Sequence, residues 1–148
     1  MCQPAYGLNG QPLGRRASNR DITGKKEAEQ ALRASEKRYK ALVDNLQMGI
    51  SVINSSMEIV AVNPFFAAFY PNVRPGTGQV CYSTYNDPPR SSPCSYCPCV
   101  LSFKDGKVHE CETETPAGDQ IRNYRIISSP VKDDSGDVQF VVEMVEDV

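Results

Sequence analysis

The feature that most constrains this chain is a change of hydrophobic period at Met48–Gly49. Upstream, apolar or small residues recur at Ala28, Leu32, Ser35, Tyr39, Leu42 and Leu46, in alternating steps of four and three that draw one stripe along a helix. Charges such as Lys25, Lys26, Glu27, Glu29, Arg33, Glu36, Lys37 and Arg38 fill the other positions. A helix is predicted to begin near Asp21–Thr23, where either side chain can cap the first turn, and to run to about Leu46. Downstream the period is two. Residues 49–53 and 58–62 alternate and are rich in β-branched side chains, and the turn-forming Asn54-Ser55-Ser56-Met57 between them makes a hairpin. Asn63-Pro64 then opens a short apolar helix over 65–70, with Asn63 as N-cap and Pro64 at the first helical position, where its missing N–H costs nothing. Residues 71–78 read as a loop. A second short helix is predicted over about 94–104, stopped by Asp105-Gly106. Three alternating segments follow at 108–115, 121–129 and 138–145, divided by Pro116-Ala117-Gly118-Asp119 and by a link containing Asp133-Asp134-Ser135-Gly136. Helix, two strands, short helices, three strands describe an α+β domain. Its frame is one five-stranded antiparallel sheet with short helices on one face and an N-terminal helix.

Composition narrows the classes that this frame can serve. The 148 residues suffice for one domain with some extra, and the 40% hydrophobic fraction is ordinary for a packed core. A net charge of −2 with no dominant basic face argues against a nucleic-acid partner. No apolar run reaches the roughly 18 residues of a membrane span. The first ten residues lack the basic start and apolar stretch of a signal peptide. The segment is therefore expected to be cytoplasmic and to make no membrane contact. The expected layout is an irregular tail over 1–20, an amphipathic linker helix over 21–47 and the domain itself over 48–148.

Six cysteines stand at Cys2, Cys81, Cys94, Cys97, Cys99 and Cys111. Crowding of three into 94–99, without an export signal, points to metal or redox chemistry more than to structural bridges. Cys94-x-x-Cys97 places two soft sulfurs on one turn, and Cys81 can close on them from one loop upstream. A fourth ligand, needed for a structural zinc site, has Cys99, Cys111 or His109 as candidates. His109, Cys111 and Thr113 share one face of their strand, and Val108, Glu110, Glu112 and Glu114 the other, which should face water. Zinc, an iron–sulfur cluster, a redox thiol pair and inert packing of small buried cysteines all fit the pattern. Haem attachment through C-x-x-C-H does not, because Pro98 follows Cys97. Cys2 lies outside the domain.

Several motifs in order carry a resemblance. Asn63-Pro64-Phe65-Phe66 looks like an N-x-x-F element. Ser129-Pro130-Val131-Lys132-Asp133 with Gly136 and Val138 looks like an SP-x-x-D…G-x-V hairpin. Ser35-Glu36-Lys37-Arg38-Tyr39-Lys40-Ala41-Leu42 matches an SE-x-R-Y-x-x-L lead-in helix, and Arg20-Asp21-Ile22-Thr23 an RDIT junction. Together these resemble the PAS family of bacterial sensory units, with residues 7–23 similar to the end of a preceding unit. The pattern CY…PCxxCP, carried here by Cys81, Cys94 and Cys97, is similar to one found in a subset of such units. The resemblance implies a signal-input module of a multidomain signalling protein of the sensor histidine kinase type, not an enzyme itself. It implies a pocket near Phe65, Phe66, Phe69 and Tyr70 that can hold a small ligand. It also implies a homodimer formed through the linker helix and the domain, and a downstream kinase or other effector. The expected signal is a small ligand, redox state or metal; the alternative is a metal-stapled dimerisation scaffold with no small-molecule signal.

Overall fold

The computed structural model describes the backbone of residues 5–6, 12–13 and 16–148, and side chains from Ile22 onward. The chain divides into two units, Met1–Leu42 and Val43–Val148. In the first, β1 (Ala5–Tyr6) pairs antiparallel with β2 (Pro12–Leu13), and α1 runs over Arg16–Asp44. The expected irregular tail thus contains a short ladder, and the helix begins at Arg16 rather than near Asp21. Arginine and alanine are good helix formers, and Gly24 lowers helical propensity without ending the run. The rest of the tail, with Cys2, lies outside the described residues. On α1, Leu32, Tyr39 and Leu42 are exposed. No described helix is long and apolar enough to cross a membrane.

The second unit contains β3 (Gly49–Asn54), β4 (Ile59–Val62), α2 (Pro64–Phe69), α3 (Cys81–Thr84), α4 (Pro98–Asp105), β5 (His109–Ala117), β6 (Gln120–Lys132) and β7 (Val138–Asp147). The five antiparallel strands lie in the order β4-β3-β7-β6-β5, as the α+β reading expects. The last strand in sequence therefore sits at the centre of the sheet. β6 extends through Pro130, beyond its last β5 pair at His109↔Ser128, so proline's missing N–H breaks no rung on that side. Two elements depart from the predicted order. The four-residue α3 was not anticipated, and α4 starts at Pro98 instead of Cys94. Residues 94–97 instead form a turn closed by the Cys97 N–H donating to the Cys94 carbonyl at 3.0 Å. Pro98 takes the first helical position. Gly106, at φ 67°, ends α4 in the left-handed conformation.

Strand alternation puts Gly49, Ser51 and Ile53 of β3 on the helix-covered face. Register then builds rows across the sheet: Ile53 beside Val141, Ser51 beside Glu143 beside Ser128, and Gly49 beside Val145 beside Ile126 beside Cys111. The apolar core joins Ile53, Ile59 and Val141 with Met57, Val73, Cys81 and Cys99. Gly49 is where α2 comes closest to the sheet: a Cβ there would meet Phe66 Cδ2 at 2.7 Å. Gly49→Ala is expected to cost about 1–3 kcal/mol by overpacking, read as a lower urea midpoint at unchanged slope. Gly24→Ala, with nothing within 4 Å, should not destabilise.

Candidate functional site: a tyrosine-walled cavity with a buried carboxyl

Asn63 sets the geometry of the site. Its Oδ1 accepts from Phe66 N at 3.0 Å, which caps α2, and from Ile50 N at 2.9 Å. Its Nδ2 donates to the carbonyls of Met48 at 2.9 Å and Val43 at 3.2 Å. One buried side chain thus fixes α2 to β3 and to the chain leading into it. Held this way, α2 turns Phe66 and Tyr70 toward the sheet. With Tyr85, which follows α3, they form a triangle of rings whose centroids lie 4.9–5.1 Å apart.

Behind this triangle lies a cavity of about 70 Å³ between the helices and the sheet. α3 and the 93–98 turn contribute Cys81, Tyr82, Cys94, Tyr96 and Cys97, and the sheet contributes Thr113, Tyr124, Ile126 and Glu143. The expected pocket residues divide: Phe66 and Tyr70 line this cavity, whereas Phe65 and Phe69 do not. Those two face a separate hollow of about 220 Å³, of which Phe66 and Tyr70 form the shared wall. Their own rings stand 5.2 Å apart. The division follows from helix geometry, since neighbours in sequence point about 100° apart.

Glu143 is the residue that sequence reasoning missed. It is 8% exposed and its Oε2 has no hydrogen-bond partner. Its cross-strand neighbours do not help it. Ser51 Oγ pairs with Tyr85 Oη at 2.7 Å, and Ser128 Oγ donates to Ser102 Oγ at 2.8 Å. Burial pushes the Glu143 carboxyl up to about 7, the Cys97 thiolate adds to the rise, and the Cys99 thiol opposes it by donating a hydrogen bond. A readable signal existed: in the alternating strand Val141-Val142-Glu143-Met144-Val145, the acid stands in phase with the inward residues.

Cys81, Cys94 and Cys97, singled out as ligands, all line this one cavity. Cys99, in the first turn of α4, is buried in the core beneath it. Cys111 is half-buried on β5, and burial pushes its thiol up to about 11. Burial likewise raises Cys81 and Cys94. Cys97 goes the other way, to about 6, because the single Cys99 thiol proton, which it shares with Glu143, donates toward it, with backbone N–H groups of the α4 terminus helping. Each of Cys97 and Glu143 disfavours ionisation of the other. Among the described residues, no three or more His, Cys, Asp or Glu side chains stand together as a metal-holding group. The thiols share a cavity wall without converging. His109 is engaged elsewhere, its Nε2 lying 2.9 Å from Asp105 Oδ2. The glutamates of β5 face water as expected.

The family model described as PAS fold matches residues 43–148, and the chain belongs to this family. No curated protein sequence matches it. Among solved structures it is similar to a PAS domain from Colwellia psychrerythraea, at 14% identity and TM-score 0.61, covering 78% of this chain and 97% of that one. It is similar to the PAS domain of an HTR-like protein from Haloarcula marismortui, at 15% identity and TM-score 0.58, covering 83% and 99%. It is also similar to a sensory box sensor histidine kinase from Vibrio cholerae, at 17% identity and TM-score 0.52, covering 81% and 94%. PAS domains act as sensory modules in signalling proteins, and the fold is regulatory rather than catalytic.

Proposed function

We propose that this chain is a signal-input module whose signal is read in the tyrosine-walled cavity and passed to a second copy and an effector. One observation carries the reading. A domain built only as a scaffold gains nothing from a buried carboxyl with an unpartnered oxygen, which lowers stability. Such a group is expected where something else is to be bound. The sheet supplies the route out: Glu143 lies on β7, which pairs along β3 from Gly49 to Asn54, and β3 follows directly from α1. The exposed Leu32, Tyr39 and Leu42, spaced by seven and three, fit a two-stranded seam with a second copy of α1. Leu32→Glu with Leu42→Glu should abolish self-association in sedimentation. Similarity to the Vibrio cholerae kinase favours a histidine kinase as the effector. The alternative, a metal-stapled scaffold, draws on the three thiols around one cavity, and stoichiometric zinc in anaerobically purified chain would favour it.

Hydrogen exchange on the full chain tests the proposal, with the S-methyl group that methyl methanethiosulfonate adds to the cavity thiols as an artificial occupant. A module that transmits must change protection in β7, β3 and α1. A change confined to 81–99 would sink the sensory reading.

A further inference from the structure

We infer that the cavity takes a small organic cation, specifically a protonated primary amine, with Glu143 Oε2 as its acceptor and the tyrosine rings as its walls. The inference rests on the sensory reading above and names the chemistry of the signal.

Three observations converge. Glu143 lines the cavity, is buried, and leaves Oε2 without a partner. The hydroxyls nearest to it in register, on Ser51 and Ser128, are turned to Tyr85 and Ser102, so the oxygen is left for a visitor. No Lys, Arg or His is among the lining residues, so negative charge on Glu143 or Cys97 has no countercharge on the cavity wall. Two arginines act on lining residues from outside that lining: Arg90 on Cys94 and Tyr96, and Arg122 on Tyr124 and Tyr70. The remaining wall is aromatic. Phe66, Tyr70 and Tyr85 hold their rings within about one ring diameter of each other, and Tyr82, Tyr96 and Tyr124 complete the enclosure. Ring faces are negative and attract ammonium groups, and a carboxylate beside them adds a charge-assisted hydrogen bond.

Size limits the guest. A cavity of about 150 Å³ holds benzene, so about 70 Å³ holds roughly three heavy atoms. Ammonium and methylammonium fit whole. A longer alkylamine can place only its head here, with its tail in an adjoining hollow, either the 220 Å³ one beyond Phe66 and Tyr70 or the 520 Å³ one beyond Tyr70, Tyr85 and Tyr124. A neutral guest of the same size leaves the carboxylate charge uncompensated, and an anion is repelled.

The experiment is a titration of the full chain at constant ionic strength and pH 8, read by thermal shift and by NMR of the tyrosine rings. The probes are methylammonium, n-butylammonium and the neutral alcohol ethanol, with potassium chloride as the salt control. Saturable methylammonium binding is expected, weakened about ten- to a hundredfold in Glu143→Gln, as for loss of one charge-assisted hydrogen bond. Tyr70→Leu should weaken it severalfold and Tyr70→Phe should not, which guards against reading a folding defect as lost binding. Tighter binding of n-butylammonium than of methylammonium would identify the natural guest as a longer amine, and the reverse would identify the small cation. Equal binding to wild type and Glu143→Gln overturns the inference. So does binding of ethanol but of no amine, an outcome that leaves the sensory reading standing. If none of the probes binds, the amine is overturned, and the exchange experiment alone decides the sensory reading.

Discussion

Replacing Asn63 with alanine is expected to destabilise the domain by about 3–5 kcal/mol, a large share of the roughly 5–15 kcal/mol that holds a domain of this size together. The magnitude follows from what the side chain does. It is 2% exposed and makes four hydrogen bonds. Loss of an N-cap alone costs about 1 kcal/mol. Beyond that, the Ile50 N–H and the Met48 and Val43 carbonyls lose their side-chain partner, and a buried polar group without one costs about 1–3 kcal/mol. Asn63→Asp separates the contributions. It keeps the acceptor for Phe66 and Ile50 but replaces the donor by an oxygen facing two carbonyls. Its cap survives while its link to residues 43–48 is lost. Urea unfolding of the three proteins checks the order, wild type above both variants. An Asn63→Ala cost below about 1 kcal/mol would show that water replaces the side chain and that Asn63 is not what fixes α2 to the sheet.

The contrast between Asn63 and Glu143 shows why one was legible in the sequence and the other was not. Asn63 acts first on its own neighbourhood: N-cap, proline and the Phe66 N–H lie within three residues, so the motif announces its geometry. The strands were legible for the same reason, since alternation is local. Asp105-Gly106 marks where the second short helix stops, but its start is set by Pro98, which claims the first helical position and leaves Cys94 in a turn. α3 escaped because four residues carry too little period to be seen. Glu143 needed two further facts. Its inward phase could be read from Val141 and Val145, but its isolation could not. That depends on β7 pairing with β3, a partner far off in sequence, and on Ser51 and Ser128 finding other hydroxyls. The cavity thiols are a similar case: Cys94 and Cys97 share a turn, but that Cys81 lines the same cavity depends on how α3 packs.

Glu143→Gln is expected to make the ligand-free protein more stable than wild type by about 3 kcal/mol at pH 8, with the advantage vanishing toward pH 4.5. In the folded chain burial holds this carboxyl near 7, whereas in the unfolded chain it ionises near its ordinary 4.5. Below pH 4.5 both states keep the proton, and the residue costs nothing. Between 4.5 and 7 only the unfolded chain gives it up, so stability falls as pH rises; above 7 the full cost, about 3 kcal/mol, is present. Glutamine keeps the shape and removes the titration. Cys97 contributes with the opposite sign: its folded value near 6 lies below its ordinary 9, so it adds stability as pH rises across that window. Wild type alone would therefore show a flattened curve, and only the difference between the two proteins isolates the carboxyl. In the variant the thiolate also loses its anionic neighbour, which widens the gap at pH 8. Thermal midpoints over pH 4.5–8 measure it, with about 4–8 °C expected per kcal/mol for a domain of this length. A gap that does not grow with pH would mean that Glu143 is already solvated or paired in solution. A growing gap means that the buried carboxylate carries a cost, and a cation bound beside it would stabilise the folded chain by mass action.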